Sequence, residues 1–170
     1  MTYTIRNAHA SDVPAFAQVE INAEELFKTI GLDDLAGDFS SPDFVMSFVK
    51  TGGAFVAVHT DGTVAGFALA FMVDNAIHLQ EMSVDPAHGR QGLGGQLLDA
   101  VASWARQRGF TRLTLSTFHD VPWNAPFYTK HGYQIMSAKQ WTPGLHILRE
   151  HEEHAGLPID RRCFMEKQIR

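Results

Sequence analysis

Apolar and polar positions change their period several times along the chain. Residues 2–6 alternate weakly and predict an opening strand, after which Ser11-Asp12-Val13-Pro14 supplies a cap and an early proline for a helix to about Lys28. Ser41-Pro42-Asp43 repeats that signal before a second helix ending near Thr51-Gly52-Gly53. Residues 54–59 and 64–73 are strand-like on either side of Asp61-Gly62, a hairpin turn signal, and residues 76–84 add a third strand. The middle of the chain therefore reads as an antiparallel meander. Beyond it the period becomes helical over residues 93–108, with Leu93, Leu97, Leu98, Val101, Trp104 and Ala105 on one stripe and Gly109 as the stop.

The second half continues with a strand at 112–118, a short helix at 124–130 closed by Gly132, and a strand at 133–136. A helix at 145–154 and a final strand at 162–169 complete it. Strand, helix, strand starting at Ala76 demands a crossover, so those two strands should lie parallel within an otherwise antiparallel sheet. No repeat, low-complexity stretch or Pro/Ser-rich linker interrupts the pattern, and residues 1–170 read as one domain.

Composition narrows the class. The chain is 45% hydrophobic, 19% charged and 11% aromatic, which excludes a disordered tail or a collagen-like chain. A domain of this length buries about 70% of its unfolded surface and needs neither disulfide nor structural metal. The single cysteine, Cys163, cannot form an internal disulfide and suits a reducing cytoplasm. The longest strongly apolar stretch, residues 64–73, is 10 residues, and no basic-then-apolar leader precedes it, so a soluble protein without a membrane partner is expected.

The net charge of −5 argues against wholesale nucleic-acid binding, yet it is unevenly spread. Residues 1–44 carry two cations, Arg6 and Lys28, against Asp12, Glu20, Glu24, Glu25, Asp33, Asp34, Asp38 and Asp43, a net of −6. Such a block is either a solvated helix face or a field that gathers a cationic ligand.

Candidate chemistry begins at Gly89-Arg90-Gln91-Gly92-Leu93-Gly94-Gly95, between a strand and an amphipathic helix. Glycines let the backbone approach a ligand, and the unpaired N–H groups at the helix start form an anion site suited to pyrophosphate. A dinucleotide fingerprint starting at Gly92 would need a glycine where Leu97 stands, and a P-loop starting at Gly89 would need Lys then Ser or Thr at Gly95-Gln96. Both fail. His146, His151 and His154 do not have zinc-protease spacing, and no metal is expected.

The loop resembles the acetyl-CoA loop of the GNAT acetyltransferases, Q/R-x-x-G-x-G/A, with Ser83-Val84-Asp85-Pro86 leading in and Gln96-Leu97-Leu98 leading out. A second block from Val121 to Tyr133, containing Asn124, Pro126, Phe127-Tyr128, Lys130 and Gly132, is similar to the family's N-x-x-A/P-x-x-F-Y-x-K-x-G-F/Y element. The resemblance covers residues 64–133. It implies an α/β (α+β) GNAT fold: a mixed, mostly antiparallel sheet of about 6–7 strands with a splayed parallel pair, flanked by about 4–5 helices. It also implies acetyl-CoA as cosubstrate and a primary-amine acceptor, and the family's habit of dimerising allows a homodimer. In this reading the N–H groups of Arg90, Gly92, Gly94 and Gly95 face the pyrophosphate, while Met82, Val84 and Asn124 meet the pantetheine arm. Gly89 departs from the pattern, standing where the family usually has Gln or Arg.

Acetyl transfer to an amine needs a neutral amine and a proton for the departing sulfur. An amine with a pKa of about 10.4 is neutral only about one part in 2,500 at pH 7, a cost of roughly 4.6 kcal/mol. The resemblance places an acid at Glu81, which would orient the ammonium or relay its proton, and makes His78 a rival base. Strict alternation puts the two on opposite faces unless the strand bulges. Tyr128 matches the tyrosine that protonates the thiolate in many relatives. The expected function is N-acetylation of a small cationic amine by direct attack in a ternary complex; the alternatives are a protein N-terminal or lysine acetyltransferase and a non-catalytic acyl-CoA-binding regulatory module.

Overall fold

The computed structural model describes residues 2–33 and 40–170, so Asp34 and Asp38 of the acidic block lie outside the described residues. The strands are β1 (Tyr3–Asn7), β2 (Ala54–His59), β3 (Val64–Val73), β4 (Ala76–Val84), β5 (Arg112–Phe118), β6 (Gln134–Ile135) and β7 (Arg162–Gln168). They form one seven-stranded sheet in the order β1-β2-β3-β4-β5-β7-β6. Pairs β1–β2, β2–β3, β5–β7 and β6–β7 are antiparallel. The crossover pair β4–β5 is parallel, with Ile77, His78 and Leu79 opposite Leu113, Thr114 and Leu115. The helices among the described residues are α1 (Val13–Lys28), α2 (Pro42–Thr51), α3 (Leu93–Gln107), α4 (Ala125–Lys130) and α5 (Pro143–His154). Sheet and helices are those the sequence pattern predicts, except that β6 is two residues long. Tyr133 and Met136, expected within it, bury their side chains instead, and their amides go to Tyr128 O at 3.1 Å and Phe164 O at 2.9 Å.

The residues fall into two compact units, 1–70 with 81–104 and 71–80 with 105–170. In the first unit β2 and β3 are continuous apolar runs because both of their faces are covered. Phe16 of α1 stacks on Phe67 of β3 with ring centroids 4.3 Å apart. The start of α1 is fixed by charge: Arg6 donates to both carboxylate oxygens of Asp12, at 2.7 and 2.9 Å, and the His9 amide donates to Oδ2 at 2.7 Å. That bidentate pair holds the Asp12 carboxyl below its ordinary range and removes one acid from the solvent-facing field. At the start of α2, Ser41 Oγ accepts from the Phe44 amide at 3.2 Å, the cap expected from the sequence.

The second unit is built on the β5–β7 ladder, from Arg112 opposite Gln168 to Phe118 opposite Arg162. Val73, Met136, Leu145 and Phe164 form a buried cluster, with Phe71, Trp141 and Leu148 packed against it. Cys163 is a free, buried thiol. No helix of the described residues is long and apolar enough to cross a membrane.

Candidate active site

The glycine loop follows β4 and is anchored before it begins. Asp85 accepts from the Ala87 amide at 2.8 Å through Oδ1 and from Asn22 Nδ2 of α1 at 2.6 Å through Oδ2. His88 Nδ1 lies 2.9 Å from the Tyr3 hydroxyl of β1. Beyond these ties the backbone turns left-handed at Arg90 (φ 60°) and Gly92 (φ 72°). A non-glycine residue at positive φ is uncommon and is kept where the surroundings require it. The first α-helical bond of α3 runs from the Gln96 amide to Gly92 O at 3.1 Å, so the amides of Leu93, Gly94 and Gly95 precede it at the positive end of the helix. Gly89 contributes differently. Its amide is donated to Pro86 O at 3.0 Å, and a Cβ there would stand a tight 3.1 Å from the same oxygen, so this position has little room for a side chain and its donor is already spent.

Glu81 is half-buried on β4, where the Ser40 hydroxyl donates to its Oε2 at 2.9 Å. Ser40 also links it to Glu20 of α1, because the Ser40 amide donates to Glu20 Oε2 at 3.1 Å. Burial, then the neighbouring Glu20 carboxyl, push the Glu81 carboxyl up to about 9, with the charge of Glu24 adding to the rise and the Ser40 hydroxyl opposing it. The sequence reading missed Glu20 as a site residue. Its signal was present, since position 20 lies four residues after Phe16 on the buried stripe of α1, where a carboxylate is out of place. Met82 and Val84 continue β4 beyond Glu81, half-buried.

His78 belongs to the second unit and is a core residue. It is 3% exposed, its Nδ1 lies 2.9 Å from Thr114 Oγ1 directly across the parallel pair, and the rings of Phe71 and Phe164 flank it. Burial, with a smaller push from the charge of Arg162, takes its imidazole down to about 3. It is neutral at physiological pH and enclosed. The expectation that it rivals Glu81 as a base therefore gives way to a structural role.

Tyr128 sits on α4, its ring edge-on to Tyr133 with centroids 5.7 Å apart. Burial raises its phenol above the ordinary value, opposed by the charge of Arg162, so it stays protonated at neutral pH. Asn124 precedes α4 and is half-committed. Its Oδ1 accepts from Thr117 Oγ1 at 3.0 Å, while Nδ2 is buried with no partner among the described residues. A buried orphan amide N–H is costly and points to a missing acceptor. Among the described residues no group of three or more His, Cys, Asp or Glu is arranged to hold a metal ion.

Residues 21–133 match the model of the Acetyltransferase (GNAT) family. The chain belongs to this family and is an acetyl-CoA-dependent N-acetyltransferase. It is 28% identical over 159 residues to streptothricin acetyltransferase of Streptomyces lavendulae, covering 79% of this chain and 80% of that protein. Among solved structures it is similar to the N-acetylglutamate synthase of Neisseria gonorrhoeae complexed with coenzyme A and N-acetyl-glutamate. That likeness has a TM-score of 0.76 at 19% identity, and the chain is covered in full but spans only 36% of the synthase. It is also similar to the PaiA N-acetyltransferase of Thermoplasma acidophilum in complex with coenzyme A, with a TM-score of 0.70, 16% identity and 99% of each chain covered. These two likenesses show the fold.

The residues present suit the cosubstrate. The orphan Nδ2 of Asn124 is a donor of the kind an amide carbonyl of pantetheine accepts from, and the amides ahead of Gln96 suit phosphate oxygens. Replacing Asn124 by Ala is expected to raise the KM for acetyl-CoA about three- to tenfold with kcat within about twofold, the worth of one hydrogen bond made equally in ground and transition state. Steady-state kinetics at saturating acceptor checks this, and an unchanged KM removes Asn124 from the coenzyme site.

Proposed function

We propose that this enzyme acetylates the primary amine of a small cationic molecule by direct attack in a ternary complex. Glu81 assists deprotonation of the acceptor, and Tyr128 protonates the departing thiolate. The amides of Arg90, Gly92, Gly94 and Gly95 bind the pyrophosphate. Met82, Val84 and Asn124 hold the pantetheine arm, and a strand N–H near Met82 meets the developing oxyanion. Residues 1–170 act as one domain, in the cytoplasm.

The observation that carries the reading is the environment of Glu81. An ordinary glutamate near 4.3 would take a proton from an amine near 10.4 only at a cost of roughly 8 kcal/mol. With the carboxyl pushed up to about 9, the same transfer costs about 2 kcal/mol once the carboxyl has given up the proton it carries at neutral pH. Enclosure beside a second acid thus turns a poor base into a matched one. The acidic block supports a cationic acceptor less broadly than its charge suggests. Asp12 is spent on Arg6 and Glu25 pairs with Lys28, while Glu20 and Glu24 act on Glu81.

The test is an acceptor panel incubated with acetyl-CoA, with CoA release and product mass as readouts. It should contain diamines, streptothricin, neutral and acidic amines, and peptides with free N-termini or lysines. Release with the cationic small molecules is expected. Release confined to neutral or acidic amines overturns the charge preference, and release confined to peptides moves the acceptor to protein.

A further inference from the structure

Glu20 occupies a position that the periodicity of α1 reserves for an apolar side chain. The buried residues of that helix are Val13, Phe16, Val19 and Glu20, and Glu20 is only 3% exposed. A carboxylate so placed is costly unless both oxygens find donors. Oε2 is served by the Ser40 amide, but Oε1 is buried and meets no donor among the described residues. The neighbouring functional group is itself an acid. Ser40 holds the two side by side, its amide donating to Glu20 Oε2 at 3.1 Å and its hydroxyl to Glu81 Oε2 at 2.9 Å, and two carboxylates so close disfavour ionising together. Among the described residues, the charged groups acting on Glu81 are Glu20 and Glu24, both on α1 and both acidic, and the Ser40 hydroxyl donates to its Oε2.

We propose that Glu20 is a second carboxyl of the acceptor site, paired with Glu81 so that the two hold one proton in the free enzyme and exchange it for the ammonium of a primary amine. This rests on the acetyltransferase reading of Glu81 above. A primary ammonium brings one positive charge and three N–H donors, which replace the lost proton and supply the donor that Glu20 Oε1 lacks. The exchange balances. One proton leaves the pair for solvent as the ammonium enters, and an N–H bond of the ammonium then breaks as an O–H bond forms on the pair, leaving the electron pair on nitrogen. Charge on the assembly stays at −1 through that second step. Glu20 is in this sense a specificity residue, because it makes the pair release its proton to a cation and keep it against a neutral guest.

The test counts protons. With the full chain saturated with CoA at pH 7, 1,4-diaminobutane is titrated by calorimetry in two buffers of different ionisation enthalpy. Wild type should release about one proton per amine bound. Glu20→Gln removes the like charge and leaves burial, the larger cause of the raised Glu81 carboxyl, in place, so release should fall measurably below that of the wild type and affinity for the diamine should fall about tenfold or more, with acetyl-CoA affinity unchanged. Infrared spectra of the wild type need no variant. A protonated carboxyl band present at pH 7 and lost by about pH 10 is expected for a raised pair. Absence of that band, no binding of the diamine, or binding without proton release overturns the proposal. CoA release in the acceptor panel is a separate readout, so a working carboxyl pair in an enzyme that acetylates nothing in the panel discredits the proposed reaction and leaves the pair standing.

Discussion

Tyr128→Phe is expected to lower kcat by about tenfold or more while the KM for acetyl-CoA changes little. The phenylalanine keeps the ring against Tyr133 and removes only the hydroxyl. A thiol near 8.5 leaves as a thiolate unless protonated, and transfer from an ordinary phenol near 10 is uphill by about 2 kcal/mol. Burial of Tyr128 widens that gap, whereas the charge of Arg162 narrows it. The phenol therefore serves best as a donor whose proton passes to sulfur as negative charge develops there, an interaction made only in the transition state. Steady-state kinetics with the acceptor found in the panel gives the answer, and thermal unfolding controls for damage to α4. An unchanged kcat refutes the assignment.

Gly53→Ala should be the most damaging single methyl group in the first unit. A Cβ at this position would lie 2.0 Å from the Ala70 carbonyl oxygen and 3.2 Å from the Trp104 ring. The backbone has no room to yield, because the Gly53 amide donates to Phe48 O at 2.9 Å and Gly53 O accepts from the Ala70 amide at 2.7 Å. Relieving the clash breaks the junction between α2 and β3. The expected loss is about 3 kcal/mol or more, a fall in unfolding midpoint of roughly 6–12 °C for a chain of this size. Gly109→Ala is the comparison. That residue has φ 82° in open space, so only backbone strain of about 1 kcal/mol opposes the substitution. Equal midpoints for the two variants would show that β3 accommodates the methyl group.

Most of the fold was legible because it rests on local signals. Ser41 capping α2, Gly109 closing the turn after α3 and the apolar runs of β2 and β3 each declare an element within a few residues. The parallel pair followed from the length of the crossover between β4 and β5. The glycine loop and the Asn124 to Tyr133 block were likewise visible as spacing. Where local reasoning stopped was β6, whose flanking residues Tyr133 and Met136 answer to partners elsewhere, and the choice between His78 and Glu81.

That choice shows the division clearly. From the residues alone, a histidine near 6.5 is the better base and a glutamate near 4.3 the poorer one. The sequence by itself determined the family, the strand carrying both residues and the acidity of the first 44 residues. Only the tertiary structure separates the two, by enclosing His78 with Thr114, Phe71 and Phe164 and by setting Glu20 beside Glu81. The physical reason is that a proton affinity depends on the dielectric and the charges around a group, and those are supplied by residues distant in the chain, here positions 20 and 40 for Glu81 and 114 and 164 for His78.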